Sequence, residues 1–173
     1  MMSGQRLIAF DLDGTIWSPE MYELWGGGGP PFRPHATTGD VVDQQGTRVR
    51  MLGDTRSILA RVHETNDPSV VLAISSRTDE PDWAQICLNT MEVRPGIALK
   101  RLFTYECISK SAKTEHFREL NRKTGIPFSN MVFFDNEPGN IRLVSQLGVH
   151  CILTPDGVKH SHWQQAMSRL QNP

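Results

Sequence analysis

The chain is short of most features that assign a protein at a glance. Its three cysteines, Cys87, Cys107 and Cys151, are isolated and mostly set among apolar neighbours. An odd, scattered set of this kind suits buried reduced thiols better than a disulfide framework or a zinc site. The longest apolar runs are only about five residues, against the roughly 20 that a membrane helix needs. The opening MMSGQRLIAF runs into acidic residues without a cleavage-site pattern, so neither a membrane partner nor export is expected, and the compartment is expected to be the cytoplasm. An excess of one charge is missing too. The 18 Lys plus Arg face 19 Asp plus Glu, a formal net charge of -1, which argues against a nucleic-acid partner held by phosphate neutralisation. Of the scattered histidines only His160 and His162 are close, with no further ligand beside them, and they read as a solvated segment before a helix. The Gly26 to Gly29 run lacks the Gly-Lys-Ser or Gly-Lys-Thr ending of a phosphate loop; its reading is a hinge or a substrate-side loop.

What is present is alternation. With 38% hydrophobic and 21% charged residues, the composition is that of a folded chain, and 173 residues suffice for about one domain, 1–173. Short β-rich runs occur at Leu7 to Phe10, Val70 to Ile74, Leu102 to Cys107, Met131 to Phe134 and Val149 to Leu153. Between and after them apolar residues recur at helical spacing: Ile58, Leu59 and Val62; Phe117 and Leu120; Ile141, Val144 and Leu147; Trp163, Ala166, Met167 and Leu170. Strands alternating with helices predict an α/β fold with a parallel sheet covered on both faces and ligands at the strands' carboxyl ends. Residues 18–54 interrupt the pattern. They read as an insertion containing a β-hairpin, with Val41 and Val42 leading into a turn at Gln45 and Gly46 and Val49 and Met51 returning.

Acidic residues follow two of these strands. Phe10-Asp11-Leu12-Asp13-Gly14-Thr15 places two carboxylates two residues apart at a strand end. Alternation sends both broadly the same way, and their repulsion calls for a shared proton or a hard cation such as magnesium. The plain alternative is an Asp- and Gly-rich turn. Val132-Phe133-Phe134-Asp135-Asn136 ends in the same manner; Asp135 and Asn136 would complete an oxygen shell, or merely cap the helix that follows. Ser75-Ser76-Arg77-Thr78 offers hydroxyls and backbone amides for an anion, although serines there are commonly turn residues. Lys113, early in a helical pattern, would reach that anion; Lys110 is close enough to compete for the role.

The order DLDGT, a strand ending in Ser, a Lys early in a helix, then a strand ending in Asp-Asn resembles the four motifs of the haloacid dehalogenase superfamily. Within it, FDLDGTIW, SSRTDEPDWA, KTEHFRELNRKTGIPFSNMVFFDNEPGNI and LGVHCI are similar to the small magnesium-dependent phosphatase family over nearly the whole chain. The resemblance implies a Rossmann-like three-layer sandwich around a five-stranded parallel sheet, with no large cap. It implies Asp11 as nucleophile, Asp13 as general acid and base, and Ser76, Arg77 and Lys113 at the phosphate. Mg2+ would sit on Asp11, the Asp13 carbonyl and the Asp135-Asn136 pair. The expected activity is phosphomonoester hydrolysis through an aspartyl-phosphate, on phosphotyrosine-like or protein-borne or sugar phosphates. The alternatives are a small-metabolite phosphatase and a catalytically weak phosphate-binding module, the latter because Asn136 stands where relatives usually carry an acid.

Overall fold

The five-stranded sheet of the computed structural model takes in four of the predicted strands almost unchanged and moves the fifth by a few residues. Residues 4–171 are described; the ends of the expected 1–173 domain, 1–3 and 172–173, lie outside that range. In chain order the strands are β1 (Arg6–Phe10), β2 (Trp17–Ser18), β3 (Arg33–Pro34), β4 (Val41–Val42), β5 (Arg48–Met51), β6 (Val70–Ser76), β7 (Glu92–Arg94), β8 (Ile97–Ala98), β9 (Tyr105–Ile108), β10 (Met131–Asp135) and β11 (His150–Leu153). The helices are α1 (Thr55–Thr65), α2 (Pro81–Thr90), α3 (Lys113–Thr124), α4 (Pro138–Ser145) and α5 (His160–Gln171).

The central sheet is parallel, in the order β11-β10-β1-β6-β9. Strand alternation sorts its side chains into two cores. Ile8, Phe10, Leu72, Ile74, Val132 and Phe134 pack under α1, α2 and α5, while Leu7, Ala9, Ala73, Met131 and Phe133 pack under α3 and α4. Burial on both faces explains why the strands read as continuous apolar runs. The three-layer α/β architecture is the one expected from the sequence, and among the described residues no large cap stands over the sheet edge.

Two details differ from expectation. The run Leu102 to Cys107 is not a strand from its start: Leu99–Leu102 forms a 3-10 turn and pairing begins at Tyr105. Phe103 is apolar because it packs edge-on against Phe10, 5.9 Å between ring centres. Burial outside regular structure mimics a strand in a periodicity count. The insertion is also larger than a hairpin. β4 and β5 pair as predicted, Val41 opposite Val49, but β2 and β3 extend them to a four-stranded antiparallel sheet ordered β2-β5-β4-β3.

That small sheet is tied down. Asp40, 1% exposed, accepts from Arg48 Nε at 2.8 Å and Met51 N at 3.2 Å and pairs with Arg56 of α1. Asp43 accepts from Gly29 N (2.9 Å), Gln45 N (3.0 Å) and Thr47 N (2.8 Å). The glycine run is therefore a fastened turn rather than a hinge. Gly29 has φ +85° and lies flat on the Trp83 ring, where a Cβ would stand 2.5 Å from an indole carbon.

Candidate active site

Sheet register sets the site. Phe10 lies opposite Phe134 on one side and Ile74 on the other, so the next residues, Asp11, Asp135 and Ser75, reach one level at the carboxyl edge. They share the parity of Ala9, Phe133 and Ala73 and thus point to the α3 side. The first residue of α3 meets them there. Lys113, 2% exposed, stands with Nζ 3.0 Å from Asp11 Oδ1 and 3.4 Å from Asp135 Oδ2. It donates to the Ser75 carbonyl as well and lies 5.1 Å above the Phe133 ring centre. Lys110 also lines the cleft but makes no bond to these carboxylates; it is bonded to the Arg77 carbonyl at 2.8 Å and to Asp79.

Asp13 is held separately. Its Oδ1 accepts from Trp17 Nε1 at 2.7 Å and its Oδ2 from Thr78 Oγ1 at 2.9 Å. Gly14 turns the chain with φ +79°, and a Cβ on it would stand 2.5 Å from one end of the Asn136 side-chain amide; only glycine satisfies both demands. Asp135 is fully buried and accepts from Glu137 N at 2.8 Å and Asn140 Nδ2 at 3.0 Å. Ser76 is buried beside the cleft, its Oγ accepting from Thr78 N at 3.2 Å. Arg77 is at the rim, its Nε directed to the Lys110 carbonyl at 3.2 Å. Asp11, Asp13, Lys113, Asp135 and Asn136 are thus brought together, Ser76 borders them, and the Arg77 guanidinium does not enter the cluster.

Sequence reading named Thr15 and Thr78 without their roles beside Asp11 and Asp13, and it missed Trp17 and Asn140; Thr15 Oγ1 lies 3.2 Å from Asp11 Oδ2. Thr15 and Thr78 end DLDGT and SSRT, and Trp17 and Asn140 follow DLDGT and FFDN within a few positions, so proximity to the motifs was the available signal.

The electrostatics are strained in one direction. Burial pushes the Asp11 carboxyl up to about 7; Lys113 pulls it back and Asp135 and Asp13 add repulsion. Burial also raises Asp13, opposed by the Trp17 and Thr78 hydrogen bonds. Two buried carboxylates sharing one ammonium leave room for a cation. Among the described residues no three His, Cys, Asp or Glu side chains cluster as a metal cage, so the remaining donors would be neutral. Asn136 supplies them. As an N–H donor its amide reaches Asp11 Oδ2 at 3.0 Å, the Asp13 carbonyl at 3.2 Å and Asp135 Oδ1 at 3.3 Å. With the amide turned over, its oxygen takes the same place among those three oxygens. The donors gathered there are then all oxygens, the kind that a hard cation such as Mg2+ would take.

The cleft above the cluster has a volume of about 350 Å³; Glu20, Tyr22, Thr78 and Glu137 form part of its wall. A roomier cavity of about 450 Å³ lies at the other end of the sheet, between α1 and α5 beside Arg6 and Val70. It gathers no comparable set of carboxylates, and chemistry rather than volume locates the site.

The description Acid Phosphatase belongs to the family whose profile matches residues 4–173. The chain belongs to that family. It is 37% identical over 153 residues to Magnesium-dependent phosphatase 1 of Homo sapiens, covering 88% of this chain and 80% of that one. It is 35% identical over 150 residues to a HAD-like hydrolase superfamily protein of Schizosaccharomyces pombe, covering 83% and 82%. A HAD-family enzyme of Bacteroides thetaiotaomicron, solved as a magnesium complex, shares the fold with a TM-score of 0.62 at 17% identity, over 94% of this chain and all of that one. This acid phosphatase family member is a haloacid dehalogenase-type phosphatase, as its ordered motifs implied. Among the described residues no helix is long and apolar enough to cross a membrane.

Proposed function

We propose that the chain, acting as one domain with residues 18–54 as its insertion, is a magnesium-dependent phosphomonoester hydrolase working through an aspartyl-phosphate on Asp11. The observation that carries this reading is the shared Lys113 between buried Asp11 and Asp135, with Asp13 held apart by Trp17 and Thr78. Asp11, the Asp13 carbonyl, Asp135 and Asn136 would hold Mg2+, which when bound supplies positive charge to offset repulsion between the nucleophile and the substrate phosphate.

An Asp11 carboxylate oxygen attacks phosphorus opposite the ester oxygen. The phosphorus–ester bond breaks, and the leaving oxygen takes the Asp13 proton, which the raised affinity of that carboxyl keeps available. Asp13, now ionised, accepts a proton from water as that water attacks the phosphoryl group; phosphate departs and Asp11 is restored. Lys113 holds Asp11 in place and balances charge as the phosphate arrives. Ser76, with the backbone around Arg77, borders the position of the phosphoryl oxygens. Trp17 and Thr78 fix Asp13 on the leaving-group side.

The finer substrate reading is a phosphotyrosine-like side chain or a sugar phosphate, free or protein-borne. Its support is the uncapped cleft, with Tyr22 and Trp25 exposed close by, their rings 6.0 Å apart. The placement of Asp13 favours turnover over a mere phosphate-binding module, which would have no use for a proton donor held in this way. Magnesium-dependent release of phosphate from para-nitrophenyl phosphate, with trapping of an acyl-phosphate on Asp11, tests the reading. Turnover that survives chelation and Asp11→Asn overturns it.

A further inference from the structure

His116 lies one turn after Lys113 on α3, is 1% exposed, and is absorbed by none of the roles above. Its Nδ1 is 2.9 Å from Ser75 Oγ and its Nε2 is 3.0 Å from Ser109 Oγ. Ser75 belongs to β6, and its carbonyl receives the Lys113 ammonium. Ser109 directly follows β9, and its N–H donates to the Ser76 carbonyl at 3.0 Å. The imidazole therefore spans three elements: the tip of β6, the tip of β9 and the first turns of α3. Residues three apart share a helix face, so fixing His116 fixes where Lys113 emerges.

We propose that His116 is a positioning residue that holds Lys113 and the Ser76 turn at the separation a phosphoryl group requires. This rests on the phosphatase reading of the site. A neutral imidazole has one N–H and one bare nitrogen, so it donates to one serine and accepts from the other with nothing left unpaired. Burial pushes the imidazole down to about 4, and the Lys113 charge adds to that; Glu119 opposes it and Arg77 favours it. The neutral form that the clamp needs thus persists across ordinary pH. Lysine and phenylalanine are unequal substitutes here: a charge would sit beside Lys113, whereas Phe fills the space and removes both hydrogen bonds.

The test compares His116→Phe, His116→Gln and Ser109→Ala, using para-nitrophenyl phosphate turnover and inhibition by inorganic phosphate, with thermal melts alongside. His116→Phe is expected to raise KM and the phosphate inhibition constant by about tenfold, and Gln, which retains a donor and an acceptor, to recover most of that. Ser109→Ala removes the bond to His116 Nε2, with a longer one from Ser111 N at 3.4 Å, at an exposed residue and should shift both constants the same way by a fewfold factor, which keeps the test valid if His116→Phe does not fold. In a Lys113→Met background the His116 effect on phosphate inhibition should shrink to the part that acts through the Ser76 turn. A lowered melting temperature with unchanged phosphate inhibition, or an equal further loss in the Lys113→Met background, overturns the positioning role. If Lys113→Met itself leaves phosphate inhibition unchanged, the reading of Lys113 as a phosphate contact fails and takes the clamp with it; if it weakens inhibition while the His116 variants do not, only the clamp fails.

Discussion

Two pairs of buried aspartates are the most instructive contrast in the molecule. Asp11 and Asp135 at the sheet edge and Asp40 and Asp43 in the insertion are all under 10% exposed. Their surroundings differ. Burial opposes the charge on Asp40, but Arg56, Arg48 and the Met51 N–H outweigh it and hold its carboxyl below the usual range. Asp43 takes three backbone N–H donors and shapes a turn. At the sheet edge burial wins, one lysine serves two carboxylates, and Asp11 moves up to about 7. A buried acid with its partners in surplus is architecture. One left short of positive charge is prepared for a ligand or a proton.

The sharpest way to break this contrast is to neutralise one acid from each pair. Asp11→Asn should lower kcat/KM by about a thousandfold or more while leaving the metal-free melting temperature equal or higher, because the amide removes repulsion with Asp135. Asp40→Asn should do the reverse. It strands two arginines and costs about 2 kcal/mol, less than a fully enclosed pair because both arginines reach solvent. Activity per folded molecule should stay within a few fold. Thermal melts and initial rates on the two variants check both; a large activity loss in Asp40→Asn with unchanged stability would erase the distinction.

Why one pair announced itself in the sequence and the other did not follows from position. Asp11 and Asp135 each end an apolar strand, and the parallel register that aligns them is what any βαβ pattern imposes. Asp40 and Asp43 lie in a segment of Gly, Pro and short strands, where no period predicts partners 8 or 16 residues away. A different cause hid α2: Ala84, Cys87 and Leu88 have helical spacing behind Pro81, but the segment follows directly on the SSRT turn and its polar DEPD stretch. Asn136 was legible as an oxygen donor. Its contact with Gly14 was not, since it depends on two loops meeting from opposite ends of the chain.

A smaller effect tests whether charge shortage at the sheet edge is what magnesium answers. With its folded pKa raised from 3.8 to about 7, Asp11 holds a proton that the unfolded chain has lost. Its contribution to stability is full below 3.8 and disappears as pH rises through about 7. Mg2+ replaces that proton, so the melting-temperature gain on adding magnesium should be larger at about pH 8 than at about pH 6. Asn136→Asp should tighten magnesium binding by about tenfold in calorimetry and lower stability in chelator, because it trades an amide that bonds three oxygens for another negative charge. An unchanged affinity would place position 136 outside the shell.

The smallest expected effect lies where the two regions meet. Trp25 reaches across to Glu80, just before α2, through a 2.9 Å bond from Nε1 to Glu80 Oε1, and its ring stands edge-on to Tyr22 at the cleft. The insertion's surplus of fastening through Asp43 holds the glycine run, which follows Trp25 directly, in a fixed turn. If that rigidity serves substrate choice, Trp25→Ala should lower kcat/KM for a phosphotyrosyl peptide by about fivefold relative to a small sugar phosphate, with little change in magnesium affinity. The phosphoryl contacts are common to both substrates, so only the leaving group can register the loss. An equal change for both, or a change in magnesium affinity, would mean that the ring supports the cleft rather than contacting what leaves it.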